Sequence, residues 1–261
     1  MSNWKGKAGR SLLAMEHITQ MEELYSNDIR NCILNSSVYG PHFAIELDKF
    51  NIRPKQVDVA LAPEDSVTAV MYNPTEGTNT TALLNFASYK TPGGMFLAGA
   101  IAQEEAICHE SILFNVLKEF PDYYAWNNLS KNRALYLDRA IYSKDILFLK
   151  NYEQFKADVI TCACPNKKAA QEYCEVTNEE NYEILKQRIG FVLKVAAINR
   201  VDTLILGAFG CGVFGQNPIE VATIFKEYLD KYPFVFDKVI FAIPNKESAN
   251  YLAFNEVFNG E

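Results

Sequence analysis

The stretch Pro92-Gly93-Gly94-Met95-Phe96-Leu97-Ala98-Gly99-Ala100-Ile101-Ala102-Gln103-Glu104-Glu105 constrains this chain more than any other. Gly93 and Gly94 have no Cβ, so backbone N–H groups there come within hydrogen-bonding distance of a ligand that a side chain would hold off. The loop reads as a cradle. Gln103-Glu104-Glu105 then opens a pattern in which Cys108, Ile112, Leu113, Val116, Leu117 and Phe120 recur at helix spacing. Two carboxylates therefore sit at a helix start beside a glycine loop. The plainer alternative is a turn before a helix whose glutamates only favour the positive end of the dipole.

The cradle has a counterpart. Residues 82–86 form an apolar run that predicts a buried strand leading into the cradle, and open α/β sheets bind ligands just beyond such carboxyl ends. Residues 203–206 predict a second strand, which runs into Gly207-Ala208-Phe209-Gly210-Cys211-Gly212-Val213-Phe214-Gly215-Gln216-Asn217-Pro218 and a helix over 219–232. Strand, glycine loop and helix let backbone amides and a helix N-terminus face a diphosphate without a Lys or Arg. Phe209 suits a core-capping position, and Phe214 suits a place against a ribose. Cys211 reads as a small residue in a tight loop, because His17, His42 and His109 are all remote from it in sequence.

Two glycines, a spacer and Gln-Glu-Glu, followed by a second glycine loop near Gly207, resemble the signature of the bacterial-type poly(ADP-ribose) glycohydrolases. In that signature a third glycine stands where this chain has Met95. The resemblance runs from about residue 57 to about residue 242. It implies an α/β fold, a three-layer α/β/α macrodomain with a mixed central sheet. Residues 1–55 would be an N-terminal helical extension packed on the core, and 56–261 the glycohydrolase domain.

The resemblance also implies hydrolysis of ribose–ribose O-glycosidic bonds, with no cofactor or metal. Glu105 would be the general acid and Glu104 would orient the ribose hydroxyls. Such an acid must hold a proton near neutral pH. Burial and a neighbouring carboxylate push a carboxyl that way, and a helix N-terminus opposes them. Gln103, Gly93, Gly94, Met95 and Ser88 would meet substrate at the first loop, and Gly210, Cys211, Gly212, Val213, Phe214 and Gly215 at the second. Asn166 is a candidate for the adenosine end. Two other readings stay open: a non-catalytic ADP-ribose reader, which need not keep Gln-Glu-Glu, and a hydrolase of mono-ADP-ribosyl or O-acyl-ADP-ribose derivatives. Met95 and Ser88, where many macrodomains place Asn, keep the latter alive.

Composition narrows partners and compartment. A formal charge of −7 argues against broad binding of nucleic acid, which Lys and Arg drive. The partners that the resemblance implies are ADP-ribose or its polymer, and ADP-ribosylated proteins. With 49% hydrophobic and 22% charged residues the chain can bury a sizeable core. No run of about 18 apolar residues occurs, and the basic stretch holding Lys5, Lys7 and Arg10 is not followed by an apolar segment. Six cysteines in a chain this long without a signal-peptide pattern read as reduced thiols, which points to the cytoplasm, and Cys162 and Cys164 have no CxxC or His partner at zinc spacing.

For the remaining segments, apolar spacing predicts one or two amphipathic helices over 11–36 and short strands at 57–61 and 67–71. A loop follows at 73–81, and an irregular aromatic cover at 121–132. Paired strands at 140–142 and 146–149 would turn at 143–145, and another strand covers 159–163. Thr177 with Glu180 has capping-box spacing and opens a long helix. A last strand at 239–242 precedes a closing helix at 247–258.

Overall fold

The computed structural model describes residues 6–260; residues 1–5, Lys5 among them, and Glu261 lie outside the described residues of the ranges 1–55 and 56–261. In chain order the elements are α1 (Lys7–Leu34), β1 (Ser37–Tyr39), β2 (Asp58–Ala62), α2 (Ser66–Tyr72), β3 (Thr81–Phe86), α3 (Gln103–His109), α4 (Leu113–Leu117) and α5 (Pro121–Leu129). There follow β4 (Ala140–Lys150), β5 (Glu153–Cys162), α6 (Lys167–Cys174), α7 (Asn178–Ile198), β6 (Thr203–Leu206), α8 (Pro218–Lys231), β7 (Lys238–Ala242) and α9 (Ala249–Asn259).

Successive side chains on a strand point to opposite faces, and here both faces are apolar. Leu84, Leu204, Leu206, Val239 and Phe241 pack into a cluster with α7, α8 and α9. Leu83, Ile205 and Ile240 point the other way, toward α1, α2, α3 and α4. The result is three layers, α/β/α. The single sheet has the order β1-β4-β5-β3-β6-β7-β2. It is antiparallel at β1/β4 and β4/β5, and parallel elsewhere. The central β3 lies between β5 and β6, so the loops after β3, β5 and β6 leave the sheet side by side. Residues 37–39, ahead of the boundary expected at 55, supply an edge strand with Ser37 opposite Tyr142. The helix α1 is two helical stretches joined at the non-helical Tyr25.

Four local expectations are corrected. Residues 67–71 are the helix α2: Asp65 caps it by accepting from the Thr68 amide at 2.9 Å, and Ser66, Ala69 and Val70 are buried at helical spacing. The helix expected from 103 to 120 breaks at Ser111, where Ile112 donates to the Leu147 carbonyl and Leu149 to that of Glu110. Residues 121–129 are helical, with Pro121 in the first turn and Tyr123, Tyr124 and Asn127 buried. Residues 140–150 are one strand. The expected turn at 143–145 is a bulge with Asp145 at φ 55°, and the hairpin turns at Asn151-Tyr152, both with positive φ.

Candidate active site

The end of β3 and the start of α3 are pinned together by Gln103. Its carboxamide accepts from the Phe86 amide at 2.8 Å and donates to the Leu84 carbonyl at 2.9 Å and to Ser66 Oγ at 3.1 Å. It thus serves as one more rung of the central strand. Next in sequence, Glu104 and Glu105 point inward and are buried.

Backbone amides hold both carboxylates. Glu104 Oε2 accepts from the Ser88 amide at 2.7 Å and Oε1 from Asn85 Nδ2 at 3.3 Å, and the Gly93 amide also donates to this carboxyl. Glu105 Oε1 accepts from the Met95 amide at 2.8 Å and Oε2 from that of Ala102 at 3.1 Å. The glycine cradle therefore turns its amides onto the two glutamates, where the sequence suggested a ligand. Gly94, at φ +58°, shows why no side chain is tolerated: a Cβ would lie 2.7 Å from Glu105 Oε1 and 2.9 Å from Glu104 Oε2. Both carboxylates border that one spot.

Burial pushes the Glu104 carboxyl from 4.5 up to about 8; the Glu105 charge adds to this, and the Ser88, Asn85 and Gly93 donors oppose it. The folded protein then holds a proton that the unfolded chain releases between these values. Stability contributed by this group falls as pH rises through that window. Glu104→Gln is accordingly expected to flatten the fall in Tm between pH 4.5 and about 8. Thermal scans across that range check it, and parallel curves for the two proteins would rule it out.

Met95 has φ −105°, which an L side chain adopts freely, so replacing a glycine by Met at this position stores no backbone strain. Its side chain is 56% exposed. The Ser88 hydroxyl lies 3.1 Å from Thr91 Oγ1 and accepts from the Lys90 and Thr91 amides, so it closes its own turn.

The second loop is built differently. Gly210, at φ +78°, turns against Cys164, and Gln216 ties the loop down through the Pro165 carbonyl and Asn181. Gly212 has neither a left-handed φ nor a neighbour within 4 Å of a Cβ position. Its approach face is open. Among the described residues the amides of Gly212, Val213 and Phe214 have no hydrogen-bond acceptor. The expected helix N-terminus does not contribute in the same way. Asn217 caps α8, accepting from the Ile219 and Glu220 amides at 2.9 and 3.4 Å. Cys211 is half-buried, and burial pushes its thiol up to about 12. Phe209 is fully buried against Phe86, with ring centroids 5.5 Å apart.

Phe214 joins an aromatic wall that connects the two loops. Tyr89 stacks on Tyr136 at 4.2 Å, and Tyr136 meets Phe214 edge-on at 6.1 Å. Tyr136 is carried there by an unusual turn in which Asn132, Arg133, Ala134 and Tyr136 all have positive φ. Asn166 is the N-cap of α6, accepting from the Ala169 amide at 3.0 Å. No sequence signal marks Asn85, Tyr89 or Tyr136: the left-handed turn contains no glycine, and Asn85 looks like any strand residue.

Residues 13–151, more than half of the chain, match the family model for the catalytic domain of microbial-type PARG. The chain belongs to this family. Solved structures extend the likeness over nearly its whole length. The poly(ADP-ribose) glycohydrolase of Thermomonospora curvata, solved with the inhibitor ADP-HPD, is 28% identical with a TM-score of 0.83, covering 96% of this chain and 100% of that one. The Deinococcus radiodurans poly(ADP-ribose) glycohydrolase, in complex with ADP-ribose, is 29% identical with a TM-score of 0.81, covering 89% and 97%. No curated protein matches the chain. The PARG neighbours share the seven-stranded mixed sheet and its helices, so the macrodomain-like fold implied by the sequence is the one found.

Proposed function

We propose that this chain is a poly(ADP-ribose) glycohydrolase that cleaves ribose–ribose O-glycosidic bonds and releases ADP-ribose. The observation that carries the reading is the buried Glu104–Glu105 pair, held by the Ser88, Gly93, Met95 and Ala102 amides at the end of the central strand. A reader of ADP-ribose has no need of two carboxyls brought together out of water. Burying such a pair is costly unless one of them keeps a proton, and the raised Glu104 carboxyl supplies that proton.

Breaking the bond at the ribose anomeric carbon requires a proton on the departing oxygen and a water directed at an oxocarbenium-like centre. The Glu104 carboxyl, which holds a proton, and the Glu105 carboxyl border the same spot beside Gly94. In this reading a ribose hydroxyl bound at Glu104 shifts the proton to Glu105, which delivers it to the leaving oxygen. The Glu105 carboxylate then takes a proton from the attacking water. The step needs no group beyond these and the water.

The open amides of Gly212, Val213 and Phe214 would receive the diphosphate, with Gly210, Cys211 and Gly215 shaping the loop around them. Phe214 would lie against the adjoining ribose with Tyr136 and Tyr89 behind it. Gln103 and Ser88 act through the protein: their polar side-chain atoms already serve β3 and the 88–91 turn. Substrate would be polymer on ADP-ribosylated proteins, met in the cytoplasm, which six free cysteines support. No helix among the described residues is long and apolar enough to cross a membrane.

Poly(ADP-ribose) and a mono-ADP-ribosylated protein offered side by side test the proposal. ADP-ribose is expected from the polymer, with the protein-linked unit left in place. Release from the mono-ADP-ribosylated protein alone would assign the site to that linkage instead.

A further inference from the structure

We propose that the first turns of α1 clamp the catalytic loop, with Arg10 and Ser11 as positioning residues that fix residues 95–99 and, through Met95, the amide that holds Glu105. The inference rests on the function proposed above.

Between the glycine cradle and Gln103 the chain makes a three-residue 3-10 turn, Phe96–Ala98. Such a turn has weak internal hydrogen bonding and little stability of its own. Here it closes on one residue: the Ala98 and Ala100 amides both donate to the Met95 carbonyl, at 3.0 and 3.2 Å. The Met95 amide in turn donates to Glu105 Oε1 at 2.8 Å. Any displacement of the turn is thus passed to Glu105 through one residue, Met95.

The turn is held on two sides. Beneath it, Phe96 is fully buried, with its ring centroid 4.6 Å from that of His109 and 5.2 Å from that of Phe114. On its outer side the carbonyls are taken by α1, nearly ninety residues away in sequence. Ser11 Oγ donates to the Leu97 carbonyl at 2.6 Å, and Arg10 Nε to the Gly99 carbonyl at 2.8 Å. Helix and loop touch through their backbones as well. A methyl group on Gly99, at φ +72°, would overlap the Lys7 carbonyl and come within 3.0 Å of the Ser11 amide. Farther along the same helix Ala14 is fully buried, and His17 Nε2 lies 2.9 Å from the Ser111 carbonyl just beyond α3. The helix therefore spans the loop that precedes the glutamates and the break that follows them. Arg10 and Ser11 themselves precede the family-matched residues 13–151.

The test is the double variant Arg10→Gln, Ser11→Ala in the full chain, with Ser11→Ala alone as a second variant that removes only a half-buried hydroxyl. Turnover of poly(ADP-ribose) by the double variant is expected to fall about tenfold, since small misplacements of a catalytic group cost that much or more. ADP-ribose affinity, measured by calorimetry, stays within about twofold of wild type, because the diphosphate loop is untouched. Ser11→Thr, which keeps the hydroxyl, retains wild-type turnover. Hydrogen exchange reads the clamp without substrate: amides 95–100 exchange at least about tenfold faster in the double variant while the sheet is unchanged. Wild-type exchange at 95–100 in the double variant overturns the clamp, whatever the activity. A turnover loss matched by an equal loss of affinity and by faster exchange throughout the sheet also overturns it, as that marks a general loss of stability. A wild-type protein that releases nothing from polymer refutes the proposed function instead, and the exchange comparison still decides the clamp.

Discussion

Glu105→Gln is expected to lose between about 10²- and 10⁴-fold in turnover of poly(ADP-ribose), the range for removal of a positioned acid–base group. It should still bind ADP-ribose. The substitution keeps size and burial but cannot deliver a proton. It also offers one acceptor where the carboxylate offers two, so either the Met95 or the Ala102 amide loses its partner. Both bonds are part-buried, so an unpaired donor there costs toward the low end of about 1–3 kcal/mol, and Tm should fall modestly with no change in fold. Release assays on polymer, calorimetry with ADP-ribose and a thermal scan together separate chemistry from stability. A folded mutant that keeps more than about half of its turnover would remove Glu105 from the role of acid.

Gly94→Ala should be nearly as damaging, though it adds a single methyl group. At φ +58° an alanine pays a left-handed penalty of about 1–2 kcal/mol. Its Cβ would also lie 2.7 Å from Glu105 Oε1 and 2.9 Å from Glu104 Oε2, closer than such atoms pack. One side must move. The carboxylates are buried and held by amides on three different stretches of chain, at 88, 93–95 and 102, so relief comes by shifting the loop and breaking the Met95 bond. A displacement of about 1 Å at a catalytic group costs on the order of 100-fold, which is the loss expected in kcat. Steady-state kinetics alongside Tm is the measurement. Turnover within about threefold of wild type, in a protein of unchanged Tm, would mean that the carboxylates need no fixed geometry.

Much of the site was legible because its signals are local. Gly93, Gly94 and Gln103-Glu104-Glu105 lie within thirteen residues of one another, and a strand followed by a glycine loop marked the second region. What the sequence misread were segments whose state depends on partners. Residues 67–71 carry two valines and a threonine and look like a strand, yet Asp65 caps them and three buried positions at helical spacing hold them as α2. Ser111 sits in an unbroken helical pattern, yet β4 draws residues 110–112 out of the helix by pairing with them.

The sequence by itself determined the local ingredients: periodicity marked the central strands and the long helices, and the absence of a Cβ at Gly93 and Gly94 allowed backbone to come close to something. Only the tertiary structure decided what that something is. Hydrogen bonds are directional, and once β3 and α3 are joined through Gln103 the cradle amides aim at Glu104 and Glu105. Likewise the sign of φ at residue 95 is set by how the loop closes, and it leaves Met95 unstrained. The raised Glu104 carboxyl, the wall of Tyr89, Tyr136 and Phe214, and the contact of Arg10 and Ser11 with the loop all join residues far apart in the chain. Burial and contact of this kind are properties of the packed molecule, because solvent is excluded only where several elements come together.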